Sequence, residues 1–246
     1  PHGIMLVCGP TGSGKTTTLY AILRSLQNEQ VKIVSVEDPV EYQIDGVNQI
    51  QVRTQIGLGF SEILRATLRH DPDVIMVGEA RDSETAHIAI QAALTGHLVL
   101  CSLHTNDAAG AVARLADMGI EPYLLASTLR GVVAQRLVRK LCPHCRVEDV
   151  LAGRAGCDIG LPPGTKTWGP GGCPACRHTG YSGRTVVAEY IPANEMLQNL
   201  ILVRADSAEI QRAFVAAGMR TLRADGLAKV AGGVTSLEEV MRVSAA

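Results

Sequence analysis

Short apolar runs alternate with amphipathic stretches along the first part of the chain. GIMLVC (residues 3–8) is apolar throughout and predicts a buried strand. A glycine-rich turn, GPTGSGKT (9–16), follows it. The next segment, TTTLYAILRSLQ, places Leu19, Ile22, Leu23 and Leu26 on one helical face. VKIVSVE predicts a second strand, ending in the turn signal EDPVEY. Residues 43–60 lack a period and predict a loop. SEILRATLRH predicts a helix with Ser61 as its N-cap. In DPDVIMVGEARD (71–82), Val74 to Val77 form a short β-branched run that predicts a buried strand delivering Glu79 at its end. SETAHIAIQAAL predicts a helix capped by Asp82 or Ser83 and stopped before Gly96. HLVLCSL predicts a fourth strand. Strands alternating with helices imply a parallel sheet covered by helices, an α/β fold.

The pattern then changes. From Asp107 to Leu141 it is helical, with glycine interruptions. Residues 142–186 hold four cysteines, many glycines and prolines and little periodicity, so they predict a loop-rich insertion. Residues 187–246 predict short helices. SAEIQRAFVAAG starts at Ser207 and stops at Gly218. SLEEVMRV opens with a Ser236…Glu239 capping box. The expected organisation is an α/β core at 1–141, a cysteine-rich insertion at 142–186 and a helical C-terminal subdomain at 187–246.

Composition narrows the classes. At 246 residues and 46 % apolar, the chain can bury a sizeable core. Its formal net charge of −1 argues against a general nucleic-acid binder. No apolar run reaches transmembrane length, and no signal peptide is visible. The chain starts abruptly on a strand, as a truncated sequence would. Seven cysteines without a secretion signal fit a reducing compartment, hence a cytoplasmic protein. Cys8 and Cys101 lie in strand-like runs and read as core packing; Cys157 is isolated.

Gly9-Pro10-Thr11-Gly12-Ser13-Gly14-Lys15-Thr16 fits G-x-x-x-x-G-K-[ST] at every fixed position. Glycines let backbone N–H groups turn inward toward phosphates, and the following helix adds its N-terminal dipole. Lys15 would place a point charge on the β- and γ-phosphates of ATP, and Thr16 a hydroxyl on Mg²⁺. A P-loop ATPase needs two further acidic functions, one toward Mg²⁺ and one toward the attacking water. Glu79 and the cluster Glu37, Asp38 and Glu41 are the candidates. Both follow predicted strands, whose C-terminal ends face the P-loop side of a parallel sheet. His97 and His104 flank the fourth strand, with phosphate sensing and packing equally open. Glu79 is one methylene longer than Asp, which would let it reach a Mg²⁺-bound water past Gly78.

Cys142-x-x-Cys145 and Cys173-x-x-Cys176 are separated by residues 146–172. Four thiolates suit tetrahedral Zn²⁺ and fill its coordination shell, so the metal would be structural. A redox dithiol or unligated cysteines are the alternatives. His144 and His178 read as bystanders.

Several of these motifs together resemble one family. GPTGSGKTTTLY, VEDPVEY, LRHDPDVIMVGEARD, TGHLVLCSLHTND, AQRLVRKLCPHC, GCPACRHTGYSGR and GVTSLEEVMRV are similar to the secretion ATPases of type II secretion and type IV pilus systems. The cysteine pairs and the tail resemble the type II assembly branch most. The resemblance implies a RecA-like P-loop core of a hexameric ATPase motor, followed by a zinc-binding loop subdomain and a small helical subdomain. It implies nucleotide contacts from residues 9–16 and Thr17. In the family's Asp box, the last carboxylate, here Glu41, is implied as the water-activating base. Glu79 is implied as the Mg²⁺ partner, with His97 and His104 in the His box. Arg65, Arg69 and Arg81 fall where the family has arginines in or near the site, and Arg81 completes the candidate catalytic set of Glu41, Glu79 and His104. The implied partners are further copies of the chain, in a homohexamer, and an inner-membrane secretion platform, docked mostly through N-terminal domains absent from this sequence. That places the protein on the cytoplasmic face of the inner membrane. A nucleic-acid translocase on the same core is disfavoured by the neutral charge and by only 3 % aromatic residues. A non-catalytic zinc module leaves the P-loop unexplained.

Overall fold

The computed structural model describes residues 2–150 and 160–244; Cys157 lies outside them. Strand β1 (Gly3–Cys8) leads through the glycine loop into helix α1 (Lys15–Leu26). Strands β2 (Ile33–Glu37), β3 (Val47–Gln51), β4 (Val74–Val77) and β5 (Leu98–Leu103) follow, with α2 (Phe60–Thr67) and α3 (Ser83–Leu94) between them. Then come α4 (Ala108–Asp117), α5 (Pro122–Thr128), β6 (Leu129–Leu141), β7 (Val147–Glu148), β8 (Trp168–Gly169) and β9 (Tyr181–Pro192). The described residues end in α6 (Glu195–Leu202), α7 (Ser207–Ala216), α8 (Leu222–Ala231) and α9 (Leu237–Ser244).

The expected α/β architecture is present. Seven strands form one sheet in the order β3-β2-β4-β5-β1-β6-β9. The pairs β1·β5, β1·β6, β2·β3, β2·β4 and β4·β5 are parallel. Strands β4 and β2 are buried at every position, as central strands covered on both faces are. Helix α1 buries Leu19 and Leu23 against the sheet, with Ile22 and Leu26 partly buried beside them. Each such leucine contributes about 1.5–3 kcal/mol by leaving water. Asp82 is the N-cap of α3, accepting the Thr85 N–H at 2.8 Å.

Several expectations give way. The loop predicted for 43–60 contains β3 and a 3₁₀ turn, Thr54–Ile56. VNQIQ is polar because it is the sheet's edge, and its ladder to β2, from Ile33↔Val47 to Glu37↔Gln51, supplies the order that periodicity does not show. Helix α2 begins one residue before Ser61, with Gly59 as N-cap and the Glu62 carboxylate accepting the Gly59 N–H at 3.1 Å. The helical pattern predicted through Leu141 ends at Thr128. Beyond it β6 pairs in parallel with β1, and its buried positions do not alternate, so the strand period is hidden.

The chain divides into two compact units, Pro1–Ala134 with Tyr190–Ala217, and Gln135–Glu189 with Gly218–Ala246. The first is built on β1–β5. Within the second, Leu161, Leu227, Val230, Leu237 and Val240 form a small core. Ser236 caps α9 as expected, its Oγ accepting the Glu239 N–H at 3.2 Å. The Glu239 carboxylate does not close the capping box. It accepts instead from the Arg139 backbone and side chain, at 3.0 and 2.6 Å, and from Arg242.

Candidate nucleotide site and tetracysteine centre

Register places four strand ends side by side in the first unit. Cys8 lies opposite Leu103, Val77 opposite Cys101, and Val36 opposite Val77. The residues that follow, Gly9, His104, Gly78-Glu79 and Asp38, therefore emerge along one edge of the sheet. Backbone hydrogen bonds hold these exits together. Gly9 N–H donates to Leu103 O at 3.2 Å, Gly78 N–H to Val36 O at 2.8 Å and Ala80 N–H to Ser102 O at 3.1 Å. Gly78 has a steric reason, since a Cβ there would stand 3.0 Å from Val36 O.

The loop between β1 and α1 turns as the motif demands. Gly9, Gly12 and Gly14 have φ of 149°, 78° and 90°, a region that L side chains rarely adopt. A Cβ built on Gly12 meets no atom within 4 Å, so the glycine serves the turn and the loop stays open above it. Lys15 Nζ arches over the loop, donating to Gly9 O at 2.8 Å and Pro10 O at 3.2 Å. It also lies 3.4 Å from His104 Nε2.

His104 continues the chain of contacts, its Nε2 being 3.3 Å from Glu79 Oε1. The other Glu79 oxygen accepts from Arg81 Nε at 2.8 Å, and Arg81 reaches Asp38 Oδ2 at 3.6 Å. The hydrogen bond that Arg81 donates to Glu79 raises the Arg81 pKa above its ordinary value. Lys15, His104, Glu79, Arg81 and Asp38 thus form one continuous polar string across four strand ends. A carboxylate and the Thr16 hydroxyl are hard oxygen donors, the set that Mg²⁺ takes. Beneath them Cys101 is fully buried, and its thiol is pushed up to about 12, chiefly by that burial.

Other candidates lie elsewhere. His97 precedes β5 at the opposite end of the strand from His104, with its Nδ1 2.9 Å from Ala92 O and 3.2 Å from Thr95 Oγ1. Its surroundings are those of packing. Arg65 pairs with Glu84 at 2.6 Å, and Arg69 donates to Arg65 O. Glu37 is buried at 2 % exposure and fully engaged with Tyr20, Ser35 and Gln49. Glu41 is exposed in the loop after β2. No hydrogen bond or ion pair joins its carboxylate to Glu79, Arg81 or His104 among the described residues. Pro10, Thr11, Ser13 and Thr17 keep their places in and after the loop, Ser13 buried and Thr17 exposed.

In the second unit, Cys142, Cys145, Cys173 and Cys176 converge. Their sulfurs all lie within 4.8 Å of one another. Three separations are 3.9, 3.7 and 3.8 Å, for Cys142–Cys173, Cys145–Cys176 and Cys173–Cys176. Disulfides require about 2.05 Å, so none of these is one. Four sulfurs at about 2.3 Å from a tetrahedral zinc would be about 3.8 Å apart, and the cage fits that ion. Backbone N–H groups of Gly172 and Gly180 point at Cys145 and Cys176 Sγ, both at 3.2 Å, stabilising thiolate charge. The Cys176 pKa is lowered to about 6, led by the Cys173 N–H, whereas that of Cys145, which the Gly172 N–H lowers, is pushed up to about 12 by burial and the neighbouring thiols. Gly171 is needed for closure, since a Cβ there would fall 2.0 Å from Cys145 O. His144 and His178 contribute no ligand atom to the cluster.

A glycine loop between β1 and α1 of a parallel sheet, with acidic ends on the neighbouring strands, defines a RecA-like P-loop NTPase fold. Comparisons with known proteins agree with it. A family model described as "Type II/IV secretion system protein" matches residues 1–242. The type II secretion system protein HxcR of Pseudomonas aeruginosa is 54 % identical over 244 residues, covering 99 % of this chain and 49 % of that protein. The type II secretion system ATPase E of Vibrio cholerae is 52 % identical over 246 residues, with 99 % and 49 % covered. Among solved structures, the pilus retraction motor PilT with bound ADP superposes with a TM-score of 0.73 at 30 % identity, over 99 % of this chain and 61 % of that one. The chain belongs to the type II/IV secretion system protein family. It spans about half the length of the curated relatives it matches. No helix among the described residues is long and apolar enough to cross a membrane.

Proposed function

We propose that the protein hydrolyses ATP as the motor of a type II secretion system, driving pseudopilus assembly and protein export. The observation that carries this is the polar string from Lys15 through His104 and Glu79 to Arg81 and Asp38, laid across the P-loop end of the sheet. Gly9 and Pro10 would shape the loop whose backbone N–H groups, from Thr11 to Thr17, would bind the phosphates of ATP, and Lys15 would exchange its carbonyl partners for phosphate oxygens. Thr16 and Glu79 would hold Mg²⁺, which supplies charge neutralisation at the β- and γ-phosphates when bound. Glu41, on the loop after β2, would take the proton of the attacking water. His104 would sense the γ-phosphate, and Arg81 would stabilise charge as it develops.

Zn²⁺ on Cys142, Cys145, Cys173 and Cys176 has a structural role, tying the loop between residues 145 and 173 to β6. The working form is a homohexamer that acts at the cytoplasmic face of the inner membrane against a secretion platform. The likeness to a pilus retraction motor supports a second reading, a type IV pilus ATPase. The test of the site is turnover. Lys15→Ala should abolish ATP binding or hydrolysis, and Glu79→Gln should keep binding and lose hydrolysis. Parental turnover in both variants would refute the assignment. Secretion assayed in cells carrying Glu79→Gln separates the two systems, by whether export or piliation fails.

A further inference from the structure

Behind the site lies a buried polar cluster that nucleotide chemistry does not call for. Tyr20 has no exposed surface, and Glu37 is 2 % exposed. The Tyr20 hydroxyl donates to Glu37 Oε2. Ser35 Oγ donates to the other Glu37 oxygen at 2.5 Å, and Gln49 Nε2 joins it at 3.1 Å. A carboxyl group buried at the end of β2 is expensive unless it is hydrogen-bonded, and here three donors from α1, β2 and β3 engage it.

The same groups reach the loop that follows β2. The Tyr20 hydroxyl oxygen accepts from Gln49 Nε2 at 3.3 Å. Gln49 donates to Tyr42 O at 3.1 Å and accepts the Ile44 N–H at 2.7 Å. The Tyr42 ring packs edge-on against Tyr20 with centroids 4.7 Å apart. Tyr20 belongs to α1, the helix whose first turn carries Lys15 and Thr16. Through Gln49 and the Tyr42 ring, Tyr20 therefore ties the loop on either side of Glu41's neighbour Tyr42 to the helix that frames the phosphate loop.

We infer that Tyr20 and Gln49 are positioning residues for Glu41, fixing the loop that carries it at a set distance from the bound γ-phosphate, with Glu37 as their buried anchor. This rests on the assignment of Glu41 as the base. A carboxylate that must meet a water in line with the phosphorus has little tolerance, and a misplacement of about 1 Å can cost on the order of 100-fold in rate. Among the described residues no hydrogen bond or ion pair holds the exposed Glu41 side chain, so the constraint comes through the adjoining loop at Tyr42 and Ile44.

The experiment compares Tyr20→Phe, Gln49→Met and Glu41→Gln in the full chain, with ATP and Mg²⁺. Tyr20→Phe keeps the ring and removes the hydroxyl that orients Gln49; Gln49→Met leaves the anchor's main donors in place and removes two pins from the loop. Both should lower kcat about 10- to 100-fold while KM for ATP and affinity for ADP stay within about twofold. Neither should lower turnover further when combined with Glu41→Gln, because each acts only through that carboxylate. Thermal melting with ADP present shows whether each variant is folded. Should Tyr20→Phe melt early, Gln49→Met decides. Unchanged kcat in the folded variants, or losses that multiply with Glu41→Gln, would overturn the inference. A Glu41→Gln enzyme with parental turnover would instead refute the assignment of the base, an outcome distinct from the other two.

Discussion

His104 Nε2 stands 3.3 Å from Glu79 Oε1, and the same nitrogen lies 3.4 Å from Lys15 Nζ. A single ring nitrogen thus touches both the phosphate-loop cation and the carboxylate assigned to the metal. Replacing His104 by Gln keeps a polar side chain but shifts its amide away from one of the two neighbours. Turnover should fall about 10- to 100-fold, the range of a displaced electrostatic or proton-transfer group. Nucleotide affinity should change little, because the phosphate-binding N–H groups are untouched. Steady-state ATPase rates beside titration with a fluorescent ADP analogue check this. Equal losses in affinity and rate would place His104 in ground-state binding.

Arg81 joins Glu79 and Asp38 of its own chain, with a hydrogen bond of 2.8 Å to the first. Being more than half exposed, it gains little stability from the pair. Arg81→Ala should therefore leave the melting temperature within a degree or two, roughly 0.5 kcal/mol, and lower kcat by about tenfold or more. Mixed assemblies of Arg81→Ala and Glu79→Gln subunits give the direction of action. If Arg81 serves its own site, mixing two inactive chains restores no activity.

Much of this site was legible in residue order. The P-loop spacing, the apolar run before Glu79 and the two Cys-x-x-Cys pairs each carry their chemistry in types and spacing. Less legible was whatever depends on partners distant in sequence. Glu37 and Asp38 are adjacent in the sequence, yet the pleat sends one into the core and the other toward Arg81. His97 and His104 looked equivalent until the strand between them set them at opposite ends. Tyr20 shares a helix face with Leu19 and Leu23 and reads as core, and its hydroxyl matters only because β3 brings Gln49 alongside. That strand was hidden, being a polar edge, and β6 was hidden because its burial follows no period.

The four-cysteine cage should hold one zinc per chain, seen by native mass spectrometry. Cys142→Ser or Cys176→Ser should lose it. Structural zinc is worth on the order of 10 kcal/mol where ligands are otherwise unstructured, and only part of that applies to a loop anchored to β6 and β9. Stripping the metal should make residues 146–150 and 160–172, which flank the cage, sensitive to protease. The P-loop unit should still bind ADP, since no cysteine of the cage belongs to it. A chain that folds, resists protease and carries no metal would refute the zinc assignment.

Acid should loosen the second unit through Glu239. This carboxylate is wholly buried, which by itself would favour protonation. Hydrogen bonds from Arg139 and Arg242 outweigh that burial and lower it from 4.5 to about 2. A carboxylate with a depressed folded-state pKa stabilises the fold above its unfolded value, and that contribution fades as pH falls through the folded one. The window here runs from about pH 4.5 down to about 2. Roughly 1–3 kcal/mol is at stake, after allowing for the half-exposed arginines. Glu239→Gln should lose a similar amount at neutral pH, and its stability should change less than the parent's between pH 5 and 2.5. Hydrogen exchange of α9 and the Arg139 amide, followed against pH, measures this locally. Parallel pH profiles for parent and variant would show that the carboxylate is not charged in the fold.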